Sequence, residues 1–164
     1  MAQHEFGVLF VCLGNICRSP MAEAVFRHLA ERHGLAERLH IDSAGTGSWH
    51  VGEPPHEGTR RLLERHGISC EGIRARQLRR EDGDAFDLIV AMDAQNERTI
   101  RSMIGADRKA EVIRFMSLLP EKGRRDVPDP YYTGNFEEVY ELVREGAERL
   151  LERVAERLGE RIGR

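Results

Sequence analysis

Short apolar runs and amphipathic stretches alternate along the chain. Phe6 to Val11 is almost unbroken apolar residues, which suits a strand covered on both faces. From Ser19 the apolar positions Ala22, Val25, Phe26, Leu29 and Ala30 recur at helical spacing. Pro20 takes the favoured first helical position and Gly34 closes the helix. Leu39 to Ser43 predicts a second strand, leading into the loop Ala44-Gly45-Thr46-Gly47-Ser48-Trp49. A helix around Gly58 to His66, a strand over Phe86 to Met92, a short helix over Asn96 to Ile104 and a strand over Glu111 to Met116 follow. The last helix runs from about Asn135 to Leu158, with an apolar stripe of Val139, Val143, Ala147, Leu150, Val154 and Leu158, joined by Leu142 and Leu151. Glu145 and Arg149 form an i,i+4 pair on its opposite face.

Strand and helix in alternation predict an α/β fold, a parallel sheet with helices on both faces. Right-handed crossovers bring the loops after each strand to one edge of that sheet. Cys12 to Ser19 is the first such loop. The loops after Ser43 and Met92, and the stretch 120–134 rich in Pro, Gly and Asp, are expected on the same side. Structureless loops of that length are uncommon and often functional.

The chain's 164 residues, 40% hydrophobic, suffice for one well-cored domain over 1–164. The net charge of −3, with both signs interspersed, leaves no footprint for nucleic acid. Cys12, Cys17 and Cys70 are too few and too scattered for a disulfide scaffold, and no C-x-x-C pair suggests structural zinc. Met1-Ala2-Gln3-His4-Glu5 lacks the features of a secretory leader, and no apolar run nears the roughly 18 residues that span a bilayer. These features predict a cytoplasmic protein with neither nucleic-acid nor membrane partners.

The sharpest chemistry lies in Cys12-Leu13-Gly14-Asn15-Ile16-Cys17-Arg18-Ser19-Pro20, between the first strand and the first helix. Such a loop can curl so that its backbone N–H groups converge on one point, a site for a phosphate dianion. Cys12 would lie beneath it as nucleophile. A helix N-terminus, a ring of amides and Arg18 all favour its thiolate. Gly14 allows close approach of the main chain, and Asn15 tolerates a left-handed turn. Arg18 can hold two phosphoryl oxygens with its planar fork, and Ser19 can donate to the Cys12 sulfur. The glycine and lysine pattern of a Walker loop is absent.

Thiol attack on a phosphate ester needs a proton donor for the leaving oxygen. Asp129 lies between Pro128 and Pro130, ahead of Tyr131 and Tyr132, which can wall a ring-shaped pocket. A carboxylate close to a bound anion holds its proton more tightly. Asp126 is the competing candidate, with less constrained flanks.

The chain resembles the low-molecular-weight protein tyrosine phosphatases over nearly its whole length. The resemblance rests on Val11 through Ala24, Asp42-Ser43-Ala44-Gly45, Trp49, Ala75-Arg76-Gln77, Ala91-Met92-Asp93 with Asn96, and Asp129-Pro130-Tyr131-Tyr132. It implies a four-stranded parallel sheet with a phosphate loop after the first strand, and hydrolysis through a phosphocysteine without metal or other cofactor. Cys12 would be the nucleophile, Arg18 the transition-state clamp, and Asp129 the general acid and then the base. Asn15, Ser19 and Ser43 would hold the loop in shape, with Gly14, Ile16 and Cys17 inside it. Leu13, Trp49, Tyr131 and Tyr132 would line the cleft. The substrates implied are phosphotyrosine proteins or small aryl phosphates, with phosphate or similar oxyanions as inhibitors. In related phosphatases a pair like Cys12 and Cys17 can close a reversible disulfide under peroxide. Ile73 stands where the family often has a loop-bracing histidine.

Three rival readings share the scaffold. Arsenate reductases need two further redox cysteines, and only Cys70 is available. Protein-arginine phosphatases carry threonine before the second loop cysteine and Asp-Pro-Phe later, where this chain has Ile16 and Tyr131. A non-catalytic phosphopeptide-binding module would be expected to lose Cys12, Arg18 or Asp129.

Overall fold

The computed structural model describes residues 4–160. Residues 1–3, part of the N-terminal stretch without leader features, lie outside them. Four parallel strands, β1 (Phe6–Cys12), β2 (Leu39–Gly45), β3 (Leu88–Ala91) and β4 (Glu111–Arg114), form one sheet in the order β2-β1-β3-β4. The strand with the longest apolar run takes a central place. β1 alternates between two cores: Val8, Phe10 and Cys12 join one cluster, Leu9 and Val11 the other. Both faces are therefore covered, as an unbroken apolar strand requires. Burying side chains such as Val8, Leu9 and Phe10 contributes about 1.5–3 kcal/mol each.

On the first face pack α1 (Arg18–Arg32), α2 (Glu57–Arg65) and α6 (Phe136–Arg157). The second face is closed by the short α3 (Asp82–Ala85) and by α4 (Ala94–Ile104), with Phe86, Ile100 and Ile104 beneath them. The loop 120–134 holds a 3₁₀ turn, Pro120–Lys122, and the single-turn α5 (Pro130–Thr133).

Several boundaries differ from the sequence pattern. α1 starts at Arg18, so Pro20 is its third residue; a first-turn proline is tolerated because those N–H groups have no intrahelical acceptor. β3 spans four residues, and Phe86 leaves the strand to bury its ring against the second core. β4 stops at Arg114, where the chain turns into the 3₁₀ segment Phe115–Leu118. There the Phe115 ring fills the space over Gly146, whose Cβ would lie 2.3 Å from it. Glu145 and Arg149 act on one another only through their charges, and each makes its close contacts elsewhere. Arg149 binds Glu121 and the Leu118 carbonyl, and Glu145 pairs with Lys122 at 3.2 Å. Both side chains reach out to the segment lying against α6, and so tie the approach to the 120–134 loop onto that helix.

Candidate active site

Cys12 ends β1 and Arg18 opens α1, so the cysteine loop spans the carboxyl edge of the sheet. Its carbonyls are held outward. Cys12 O accepts from Thr46 N–H (2.9 Å), Leu13 O from Gly47 N–H (2.9 Å), Ile16 O from His56 N–H (2.7 Å) and Cys17 O from the Thr59 hydroxyl (3.3 Å). Asn15 N–H turns inward, onto Cys12 Sγ at 3.3 Å. Asn15 has φ 57°, the one left-handed non-glycine among the described residues. Gly45 lets β2 come this close, since a Cβ there would sit 2.9 Å from Leu13 O and 3.1 Å from Asn15 N.

A directed hydrogen-bond chain runs behind the sulfur. Glu23, 5% exposed, is an acceptor, so the Ser43 hydroxyl donates to its Oε1 at 2.6 Å. Ser43 Oγ can then accept from Asn15 Nδ2 (3.0 Å), which also donates to Ser19 Oγ at 2.8 Å. Arg76 N–H donates to Asn15 Oδ1 at 2.9 Å and confirms the amide's orientation. Ser19 Oγ keeps its own proton, with Cys12 Sγ at 3.0 Å and Ala44 O at 3.5 Å as the acceptors in reach. Arg27 anchors the far end, donating to Glu23 Oε2 and to Ile41 O, each at 2.7 Å. Burial raises the Glu23 carboxyl above its ordinary range, although Ser43 and Arg27 pull it down. Ile73 sits in the apolar core and takes no part in this chain.

Arg18 is 3% exposed. One terminal nitrogen donates to Asp93 Oδ2 (2.8 Å) and Val127 O (3.0 Å), the other to Asp129 Oδ2 (3.4 Å). Burial disfavours its charge, but Cys12, Asp93 and Asp129 more than offset that and hold its pKa above the usual value. Among the described residues, Arg18 Nε is the buried side-chain donor without a partner. Asp129 caps α5, its Oδ1 accepting Tyr131 N–H at 3.1 Å, with Pro130 opening the helix. Asp126, the competing acid candidate, spends Oδ1 on Ala94 N–H at the start of α4.

A cleft of about 190 Å³ opens above the loop, lined by Cys12, Leu13, Gly14, Ile16, Cys17, Trp49, His50, Asp129, Tyr131 and Tyr132. Asn15, Ser19 and Ser43 lie behind it, and Arg18 joins its two sides. Trp49 and Tyr132 are exposed at 70% and 74%, so the rim is aromatic and open. Burial, with Cys12 and Asp129 nearby, pushes the Cys17 thiol up to about 12. Cys70 packs against the main core, away from the cleft. No described group of three or more His, Cys, Asp or Glu side chains is placed to hold a metal ion.

Sequence reasoning assigned no role to Asp93, Glu23, His50 or His56. Asp93 and Glu23 stand inside recognisable motifs, and His50 adjoins Trp49, so each carried some signal. His56 carried none.

Residues 7–160 match the family model for low molecular weight phosphotyrosine protein phosphatases. The low molecular weight protein-tyrosine-phosphatase YfkJ of Bacillus subtilis is 56% identical over 144 residues, 88% of this chain and 92% of that protein. Its crystal structure superposes with a TM-score of 0.90 at 51% identity, covering 96% of this chain and 99% of that one. A drosophila arginine phosphatase, DARP, superposes with a TM-score of 0.83 at 34% identity, covering 90% and 96%. The fold and a cysteine loop of this kind define a phosphoric monoester hydrolase. The chain belongs to the low molecular weight protein-tyrosine-phosphatase family, whose substrates are phosphoproteins or phosphate esters.

Proposed function

We propose that the protein hydrolyses phosphotyrosine in proteins, and small aryl phosphates, through a phosphocysteine on Cys12. The observation that carries this reading is that Cys12 and Asp129 line one aromatic cleft while Arg18, from the same cysteine loop as Cys12, reaches Asp129. Arg18 touches Asp129 on one side and keeps Nε unpaired beside the cysteine loop. In the first step the Cys12 thiolate attacks phosphorus and the P–O bond to the aryl group breaks. Arg18 and the loop N–H groups stabilise the equatorial oxygens, and Asp129 gives its proton to the leaving oxygen. In the second step water attacks the phosphocysteine and Asp129 takes its proton. The S–P bond then breaks, phosphate leaves, and the Ser19 hydroxyl stabilises the departing thiolate. Inorganic phosphate and similar oxyanions would compete for the loop. A nucleophilic thiol must stay reduced, which fits a cytoplasmic setting.

Trp49, Tyr131 and Tyr132 suit a planar aryl group. The likeness to DARP favours phosphoarginine as the second reading. Turnover of phosphotyrosine, phosphoserine and phosphoarginine peptides separates the two, with arsenate reduction as control. Hydrolysis of the phosphotyrosine peptide without added metal is expected. It should vanish in Cys12→Ser and fall by about 10²–10⁴ in Asp129→Ala, the range for losing a general acid. A fully active Cys12→Ser enzyme would overturn the mechanism, and preference for phosphoarginine would replace the substrate.

A further inference from the structure

Three segments meet on His56, a residue outside the cysteine loop: that loop, which lines the cleft, and the helices α2 and α6 behind it. Its backbone N–H donates to Ile16 O at 2.7 Å, and its Nδ1 caps α2 by accepting Gly58 N–H at 3.0 Å. Its ring lies nearly parallel to that of Phe136, the first residue of α6, with centroids 5.3 Å apart and planes 21° apart. Phe136 in turn packs against Ile16, Cys17 and Ala75. The Phe136 ring also passes close over Gly58, where a Cβ would lie 2.4 Å from it. The imidazole is thus seated by the cysteine loop, α2 and α6 together. Perpendicular to it, at 5.9 Å and 77°, stands the ring of Tyr131.

Tyr131 is the second residue of α5, and its N–H is held by Asp129 Oδ1. α5 is a single turn of four residues, too short to keep its own orientation, so the contacts of its side chains set its direction. Tyr131 is half-exposed; its ring neighbours are His56, His50 and Tyr132. Of these, His56 is the one tied to the cysteine loop by its backbone. Asp129 meets Arg18 only at 3.4 Å, so a small turn of α5 carries the carboxyl off that contact.

We propose that His56 is a positioning residue for the acid step: its ring, seated on Phe136, is the wall against which Tyr131 rests, and through α5 it sets where Asp129 stands. The proposal rests on the reading of Asp129 as general acid. It predicts an effect that grows with the basicity of the leaving group, because a poor leaving oxygen needs the proton most.

Two variants divide the residue's roles. His56→Asn keeps a side-chain acceptor for the helix cap but removes the ring. His56→Phe keeps the ring but removes the acceptor. kcat/KM is measured for phenyl phosphate and p-nitrophenyl phosphate, with Tm alongside and Asp129→Asn as reference. Since a misplacement near 1 Å can cost about 10²-fold, His56→Asn should lose about tenfold on phenyl phosphate and less than about threefold on p-nitrophenyl phosphate. His56→Phe should keep the native ratio between the two substrates while melting lower. Equal losses on both substrates in His56→Asn, or a changed ratio in His56→Phe alone, would overturn the proposal. If Asp129→Asn also left the ratio unchanged, the reading of Asp129 itself would fall, which distinguishes the two failures.

Discussion

Asn15→Ala tests the loop architecture most directly. The side chain is 2% exposed and makes three hydrogen bonds, to Ser19, Ser43 and Arg76 N. Each is worth about 1 kcal/mol net. Alanine must also hold the left-handed φ of 57°, a cost of about 1 kcal/mol that asparagine partly escapes. The sum is about 4 kcal/mol, a large share of the roughly 5–15 kcal/mol that holds a domain together. At about 2–4 °C per kcal/mol for a domain of this size, the midpoint should fall by about 8–16 °C. Calorimetry on wild type, Asn15→Ala and Asn15→Gly provides the assay. Glycine loses the same bonds but adopts the left-handed backbone freely, so Asn15→Gly should melt above Asn15→Ala. An Asn15→Ala protein melting within about 2 °C of wild type would refute the claim that this network holds the loop.

Other predictions follow from the buried groups. Because the Glu23 carboxyl is raised, the folded state binds its proton more tightly than the unfolded chain does. Wild-type stability should therefore decline as pH rises from the ordinary carboxylate range through the raised value, and Glu23→Gln removes that decline. Denaturant titrations should show the variant gaining on wild type with rising pH; the opposite trend refutes the assignment. With its thiol pushed up to about 12, Cys17 should resist iodoacetamide at neutral pH while Cys12 is alkylated, as peptide mass mapping would show. We further propose that the Cys12 thiolate attacks peroxide, breaking its O–O bond to give a sulfenic acid and hydroxide. Cys17 then attacks the Cys12 sulfur, the S–O bond breaks, and a disulfide forms as water leaves. Thiol-dependent recovery unchanged in Cys17→Ser would refute this.

The arrangement of strands and helices was legible because apolar periodicity reports directly which face of an element is buried. The boundaries of β3 and β4 were not, since Phe86 and Phe115 are apolar enough for strands but find better burial beyond the sheet. The Glu145–Arg149 pair has ideal helical spacing, and nothing local shows that a folded-back segment offers each side chain another partner.

The same division runs through the site. Cys12, Asn15, Arg18 and Ser19 lie within eight consecutive residues, so one turn of chain determines their mutual placement and the motif can be read in a line. Asp129 was recognisable from its two flanking prolines and the tyrosines that follow. Tertiary structure alone decided that Asp93 and Asp129 share Arg18, that Glu23 directs the hydroxyl of Ser43, and that His56 stands between the cysteine loop and Tyr131. Those contacts join residues from different elements. A hydrogen bond's direction depends on what the partner can accept after folding, and the sequence around neither residue records it.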